Sequence, residues 1–180
     1  MADQDLAEIH EELTVDHVYV HPSLRSLVSE ADEAALEDQV AQTADPTYVV
    51  VWPFRSGDTY GGKASDLLTR LHHAYPEPGI YLSTTTQLEA TDYSGVRVDG
   101  RQFGVAGEAD GRLGDYSITS IVDLEKHQDL PSALSRTVEV LEMEPAERDE
   151  LHDELLSQHR KEYLAENPRR TKGPPSSAAW

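Results

Sequence analysis

A chain of 180 residues and 20.0 kDa is the size of one domain with end segments. It contains no cysteine, which excludes disulfides, thiolate metal sites and cysteine nucleophiles. Lys and Arg number 15 against 34 Asp and Glu, so the formal net charge is −19. Such a chain repels nucleic acid and anionic membrane, because phosphate binding needs clustered basic side chains.

The start, Met-Ala-Asp-Gln-Asp, has neither the basic nor the apolar region of a secretory signal. No window approaches the roughly 18 apolar residues of a membrane span. The expected location is the cytoplasm. Residues 2–13 read as a short acidic helix with Leu6, Ile9 and Leu13 on one side. Val18-Tyr19-Val20 reads as a first strand, ended by His21-Pro22. Ser29 is a good N-cap, and Asp32 three residues on suggests a capping box for a helix that Asp45-Pro46 closes.

Residues 48–54 form a near-continuous apolar run, Tyr48-Val49-Val50-Val51-Trp52 at its heart, as in a strand covered on both faces. Gly57, Gly61 and Gly62 follow. Ala64, Leu67, Leu68 and Leu71 then recur at helical spacing over about 62–75, and Pro76-Glu77-Pro78-Gly79 ends that helix. Residues 80–85 are β-branched and aromatic and read as a third strand. This alternation predicts an α/β fold. Its sheet is mainly parallel, built from right-handed βαβ crossovers with helices on both faces.

Residues 88–93 read as a short strand. Asp99-Gly100, between Val96-Arg97-Val98 and Gln102-Phe103, is a hairpin signal that predicts an antiparallel addition at a sheet edge. Residues 108–115 read as a Gly- and Asp-rich loop. Ile118, Ile121 and Val122 fit a helix, although β-branching weakens it. Leu134, Val138 and Leu141 mark a helix over 131–143. The expected organisation is an acidic N-terminal helix over 1–15 and one α/β domain over 16–143. A charged C-terminal helix over 144–166 and a disordered tail over 167–180 complete it.

The turn Gly57-Asp58-Thr59-Tyr60-Gly61-Gly62-Lys63 matches the phosphate-binding pattern G-x-x-x-x-G-K between a strand and a helix. Ala64 stands where that motif needs a Ser or Thr hydroxyl for Mg²⁺. Ser65 comes one place late, about 100° round the helix. The ordinary βα turn is therefore the favoured reading. Asp58 and Asp92 lie at the expected carboxyl ends of strands, where ligands bind in open α/β sheets, and are the candidate oxygen ligands for Ca²⁺ or Mg²⁺. Asp99, Asp110 and Asp115 are further loop carboxylates. His72 and His73, and His152 and His159, lack the close spacing of metal ligands and read as surface or helix-end histidines. No G-x-S-x-G elbow is present, and no residue qualifies as a nucleophile.

Residues 18–107 resemble the TPM domain family. The matching pieces are Leu27-Val28-Ser29-Glu30, Tyr48-Val49-Val50-Val51, the helix 64–71, Pro78-Gly79-Ile80-Tyr81-Leu82 and Val96-Arg97-Val98-Asp99-Gly100. The resemblance implies the same strand and helix order. It also implies weak acid phosphatase activity, divalent cations and assistance to membrane protein complexes. His21-Pro22 replaces the family's opening Asp, and no catalytic residue is carried over.

The residues together predict a soluble, non-catalytic α/β module that binds a protein partner through acidic surfaces. The alternatives are a divalent-cation-dependent hydrolase of the TPM type using Asp58 and Asp92, and nucleotide binding at the degenerate loop.

Overall fold

A computed structural model describes residues 2–55, 57–84 and 96–167. Asp92, the strand expected over 88–93 and the tail from 168 onward lie outside the described residues.

Helix α1 (Ala2–Asp16) buries Leu6, Ile9 and Leu13, the stripe its spacing predicts. It stops at His17, which turns to φ 62° and donates its N–H to the Leu13 carbonyl at 3.2 Å. Strand β1 (Val18–Val20) follows. Helix α2 (Glu30–Val40) opens with the expected capping box. Ser29 Oγ accepts from the Asp32 N–H at 3.2 Å, and Asp32 Oδ2 accepts from the Ser29 N–H at 3.0 Å. Strand β2 (Thr47–Val51), helix α3 (Ala64–Ala74) and strand β3 (Gly79–Thr84) come next. Strands β4 (Val98–Phe103) and β5 (Gly111–Arg112) then lead to α4 (Ser117–Glu125), α5 (Leu130–Leu141) and α6 (Pro145–Glu166).

The five strands lie in the order β1-β2-β3-β4-β5. β1, β2 and β3 are parallel, and β4 and β5 are antiparallel additions. The protein is α/β, with helices on both faces of the sheet and helices at its C-terminal end. Alternation along each strand splits the core in two. Val18, Val20, Val49, Val51, Ile80 and Leu82 face α2, α4 and α5. Tyr19, Val50, Tyr81 and Phe103 face α1 and α3. Leu67, Leu68 and Leu71 of α3 are all but completely buried. Each such leucine is worth about 1.5–3 kcal/mol relative to exposure.

The expectation of right-handed crossovers holds for only one of the two. β1 to β2 and β2 to β3 step in the same direction across the sheet, yet α2 lies on one face and α3 on the other. The two connections must have opposite hands, against the roughly 98% preference for the right-handed form. Two right-handed crossovers would set α2 and α3 side by side. The space beside α2, over β3 and β4, is filled by α5 and α4.

The hairpin expected at Asp99-Gly100 is also displaced. Both residues sit inside β4, where Gly100 pairs with Leu82. A Cβ on Gly100 would lie 2.5 Å from Leu113 Cδ1, so the glycine marks close packing. The antiparallel edge itself is present, one turn later. Gly104 (φ 61°) leaves β4, and Asp110 Oδ1 accepts its N–H at 2.7 Å before β5 begins. Ser117–Glu125 is helical because Ile118, Ile121 and Val122 share one buried face, which outweighs β-branching.

Glu125, at the end of α4, joins α5 through Arg136. Its Oε1 accepts from Arg136 Nη2 at 2.8 Å, and its Oε2 lies 2.9 Å from His127 Nε2. Burial opposes the charge on Glu125, but these hydrogen bonds outweigh it and hold the carboxyl below its usual 4.5. The unfolded chain therefore takes up the proton first as pH falls. The stabilisation is complete above about pH 4.5 and is lost on going lower through the folded value. Glu125→Gln is expected to cost about 1 kcal/mol at pH 7 and to flatten the acid limb of a melting-versus-pH profile. An unchanged acid limb would show that other carboxylates set it.

Candidate functional site

The carboxyl ends of β1, β2 and β3 lie together, beside the start of β4 and the first turn of α3. The loop after β2 is shaped by Gly57 (φ 85°), Gly61 (φ 62°) and Gly62 (φ 72°), conformations that only glycine adopts readily. They turn backbone N–H groups inward, and Asp58 fills the cradle. Its Oδ1 accepts from the N–H of Gly62 at 2.7 Å and of Tyr60 at 2.9 Å, and its Oδ2 accepts from the N–H of Arg55 at 3.0 Å. A bound phosphate would use the same donors. The loop thus holds an anion of its own. Tyr60, bulky for a phosphate loop, is buried edge-on against Trp52, with ring centroids 5.7 Å apart. Lys63 sits at the N-cap of α3 and makes no side-chain capping bond.

Of the two proposed metal ligands, Asp58 is placed at the expected end of the sheet with its oxygens turned onto its own loop. Asp92 lies outside the described residues. Among the described residues, no three His, Asp or Glu side chains converge as a metal site. Asp99 pairs with Arg101 at 3.9 Å, Asp110 closes the β4–β5 turn, and Asp115 accepts from the Ser117 N–H at 2.9 Å.

A cleft of about 280 Å³ opens at the β4–β5 edge of the sheet. Its polar lining is Ser65 from the first turn of α3, Asp99 and Arg101 from β4, Arg112 from β5, and Tyr116 and Thr119 at the start of α4. Arg101 and Arg112 are register partners across the β4–β5 ladder. Sequence reasoning missed this pair, since it is made by register and no motif encodes it.

A second pocket, of about 190 Å³, lies at the amino end of β2 and β3, beneath α1 and α3. Its walls are rings. His10 stacks on Tyr75 with centroids 4.0 Å apart, His17 lies 4.9 Å from Tyr48, and Tyr48 lies 4.8 Å from Tyr81. Tyr81 donates to the Glu77 carbonyl at 2.8 Å. Burial, with Glu77 nearby, pushes the Tyr48 phenol up. Burial, with Tyr48 and Glu77 nearby, does the same to Tyr81. Both phenols therefore stay neutral, and the rings act as packing that seats α1 on the sheet.

The histidines differ from expectation at one position. His152, read as a surface residue, is buried between α4 and α6, with Nε2 2.9 Å from Ser120 Oγ and its ring edge-on to Tyr116. The charged sequence of α6 conceals this contact. Comparison of the chain with protein-family models, with curated proteins and with solved structures gives no match.

Proposed function

We propose that the protein is an accessory module that works by binding another protein, with the distal half of α6 as its contact helix. Its support is the exposure of that half. The first half of α6 packs on α4 and the core through His152, Leu151 and Leu155, and Arg148 reaches Asp115, just before α4, at 3.2 Å. Every residue from 156 to 166 is exposed, Leu156, Tyr163 and Leu164 included. Lys126 reaches Glu162 at 3.8 Å, a surface ion pair worth little. This stretch prolongs a helix whose first half is already packed on the core. Three apolar side chains spaced i, i+7 and i+8 give it a face to pack. The distal half is itself electrically balanced, Arg160 and Lys161 against Glu162 and Glu166, so its apolar face rather than its charge would select the partner.

The TPM resemblance, carried by element order over 18–107, agrees with an accessory role. Of the two alternative readings, the cation-dependent hydrolase and nucleotide binding both need Asp58 or its loop to be free. Each predicts a rise in melting temperature, with Mg²⁺ or Ca²⁺ for the first and with ATP-Mg²⁺ for the second.

The test is a chain ending at Leu155. A cut at Met143 would remove the contacts of Arg148 with Asp115 and of His152 with α4, and so confuse folding with binding. Ending at Leu155 is expected to leave the melting temperature nearly unchanged and to abolish recovery of partner in a pull-down. Undiminished recovery would refute the role of α6.

A further inference from the structure

From the pairing of Arg101 with Arg112, we infer that the cleft between β4, β5 and the first turns of α3 and α4 is a site for a doubly charged oxyanion, the phosphate group of a small molecule. The inference stands apart from the α6 reading, since the two surfaces share no residue.

Arg101 and Arg112 face each other across an antiparallel ladder. Opposed residues there carry Cβ atoms about 4.5–5.5 Å apart, and like charges so placed repel. Evolution of such a pair in a chain with 34 acidic residues needs a reason. Four other arginines are matched to carboxylates, Arg25 to Glu33, Arg97 to Asp123, Arg136 to Glu125 and Glu139, and Arg148 to Asp115, while among the described residues Arg55, Arg70 and Arg160 form no ion pair. Arg101, whose side chain is only 17% exposed, has one distant carboxylate, Asp99 at 3.9 Å. Among the described residues Arg112 forms no ion pair, though it lines the same cleft. The surplus is two positive charges against one loosely held negative charge.

The rest of the lining suits an anion. Ser65 and Tyr116 bring hydroxyl groups, while the Thr119 hydroxyl donates to the Tyr116 carbonyl at 3.3 Å. Ser65 lies in the first turn of α3, whose positive end borders the cavity, whereas the start of α4 already holds the Asp115 carboxylate on the Ser117 N–H at 2.9 Å. Two guanidinium groups match the charge and the multiple oxygens of a phosphate better than the single charge of a carboxylate. The cleft lies at the antiparallel edge of the sheet, with Arg101 level with Tyr81 of β3. It lies beside the glycine loop, whose own N–H groups are already taken by Asp58.

The experiment is an amide-resolved NMR titration of the full chain with inorganic phosphate, sodium chloride being withdrawn to keep ionic strength constant. Saturable shifts are expected at Ser65, Arg101, Arg112 and Thr119. Arg112→Ala is expected to remove them while leaving the phosphate-free melting temperature unchanged or slightly higher, because a cross-strand repulsion is relieved. Acetate at the same ionic strength is expected to bind about tenfold or more weakly. Absence of saturation, or equal shifts in Arg112→Ala, overturns the site. Equal affinity for acetate overturns its assignment to a doubly charged group.

Discussion

Gly79→Ala is expected to destabilise the protein by about 3 kcal/mol or more, a fall of roughly 6–12 °C in melting temperature. Two effects add. Gly79 has φ 149°, a conformation that side-chain-bearing residues rarely adopt. A Cβ there would also overlap the Pro46 carbonyl oxygen and stand 2.9 Å from Tyr48 Cε2. Neither neighbour can yield easily. The Pro46 carbonyl accepts from the Ile80 N–H at 2.8 Å, the bond that brings β3 alongside β2. The Tyr48 ring is held against Tyr81 and His17. Gly57→Ala is the control. It shares a positive φ, 85°, but nothing lies within 4 Å of its would-be Cβ. It should cost only the backbone term, about 1–2 kcal/mol. Equal losses in the two variants would show that overlap at Pro46 contributes nothing.

The same glycine shows what the sequence made legible. Pro78-Gly79 was readable as the end of a helix and the start of a strand, because those residues act locally. So were the apolar run through Val49, Val50 and Val51, the Ser29 and Asp32 capping box, and the stripe of Leu67, Leu68 and Leu71. Each is decided within one or two turns of chain. Features decided by distant partners were hidden. Gly100 has the local signature of a turn, but Leu113 across the sheet makes it a packing residue. Opposite-handed crossovers depend on where α4 and α5 settle, far along the chain. Arg101 and Arg112 become a pair only through the register of β4 and β5. His152 looks solvated among Asp149, Glu150, Asp153 and Glu154, yet α4 covers it.

Asp58→Ala is expected to cost about 2 kcal/mol, or roughly 4–8 °C. One carboxylate satisfies three backbone N–H groups, so its loss orphans more donors than an ordinary N-cap substitution. Exposure of the loop limits the penalty, since water can reach the freed groups. Asp58→Asn should cost about half as much. An amide oxygen in place of Oδ1 can still serve Tyr60 and Gly62, but the NH₂ group cannot accept from Arg55. This ladder of Asp, Asn and Ala separates a turn-closing role from a metal-binding one. A structural carboxylate predicts the graded loss with or without Ca²⁺ or Mg²⁺. A ligand role predicts that a divalent cation raises the melting temperature of the wild type and that both substitutions erase the rise together. The geometry favours the first outcome, because turning Asp58 outward to a cation would strip the Gly57-to-Lys63 loop of the anion that holds its N–H groups inward.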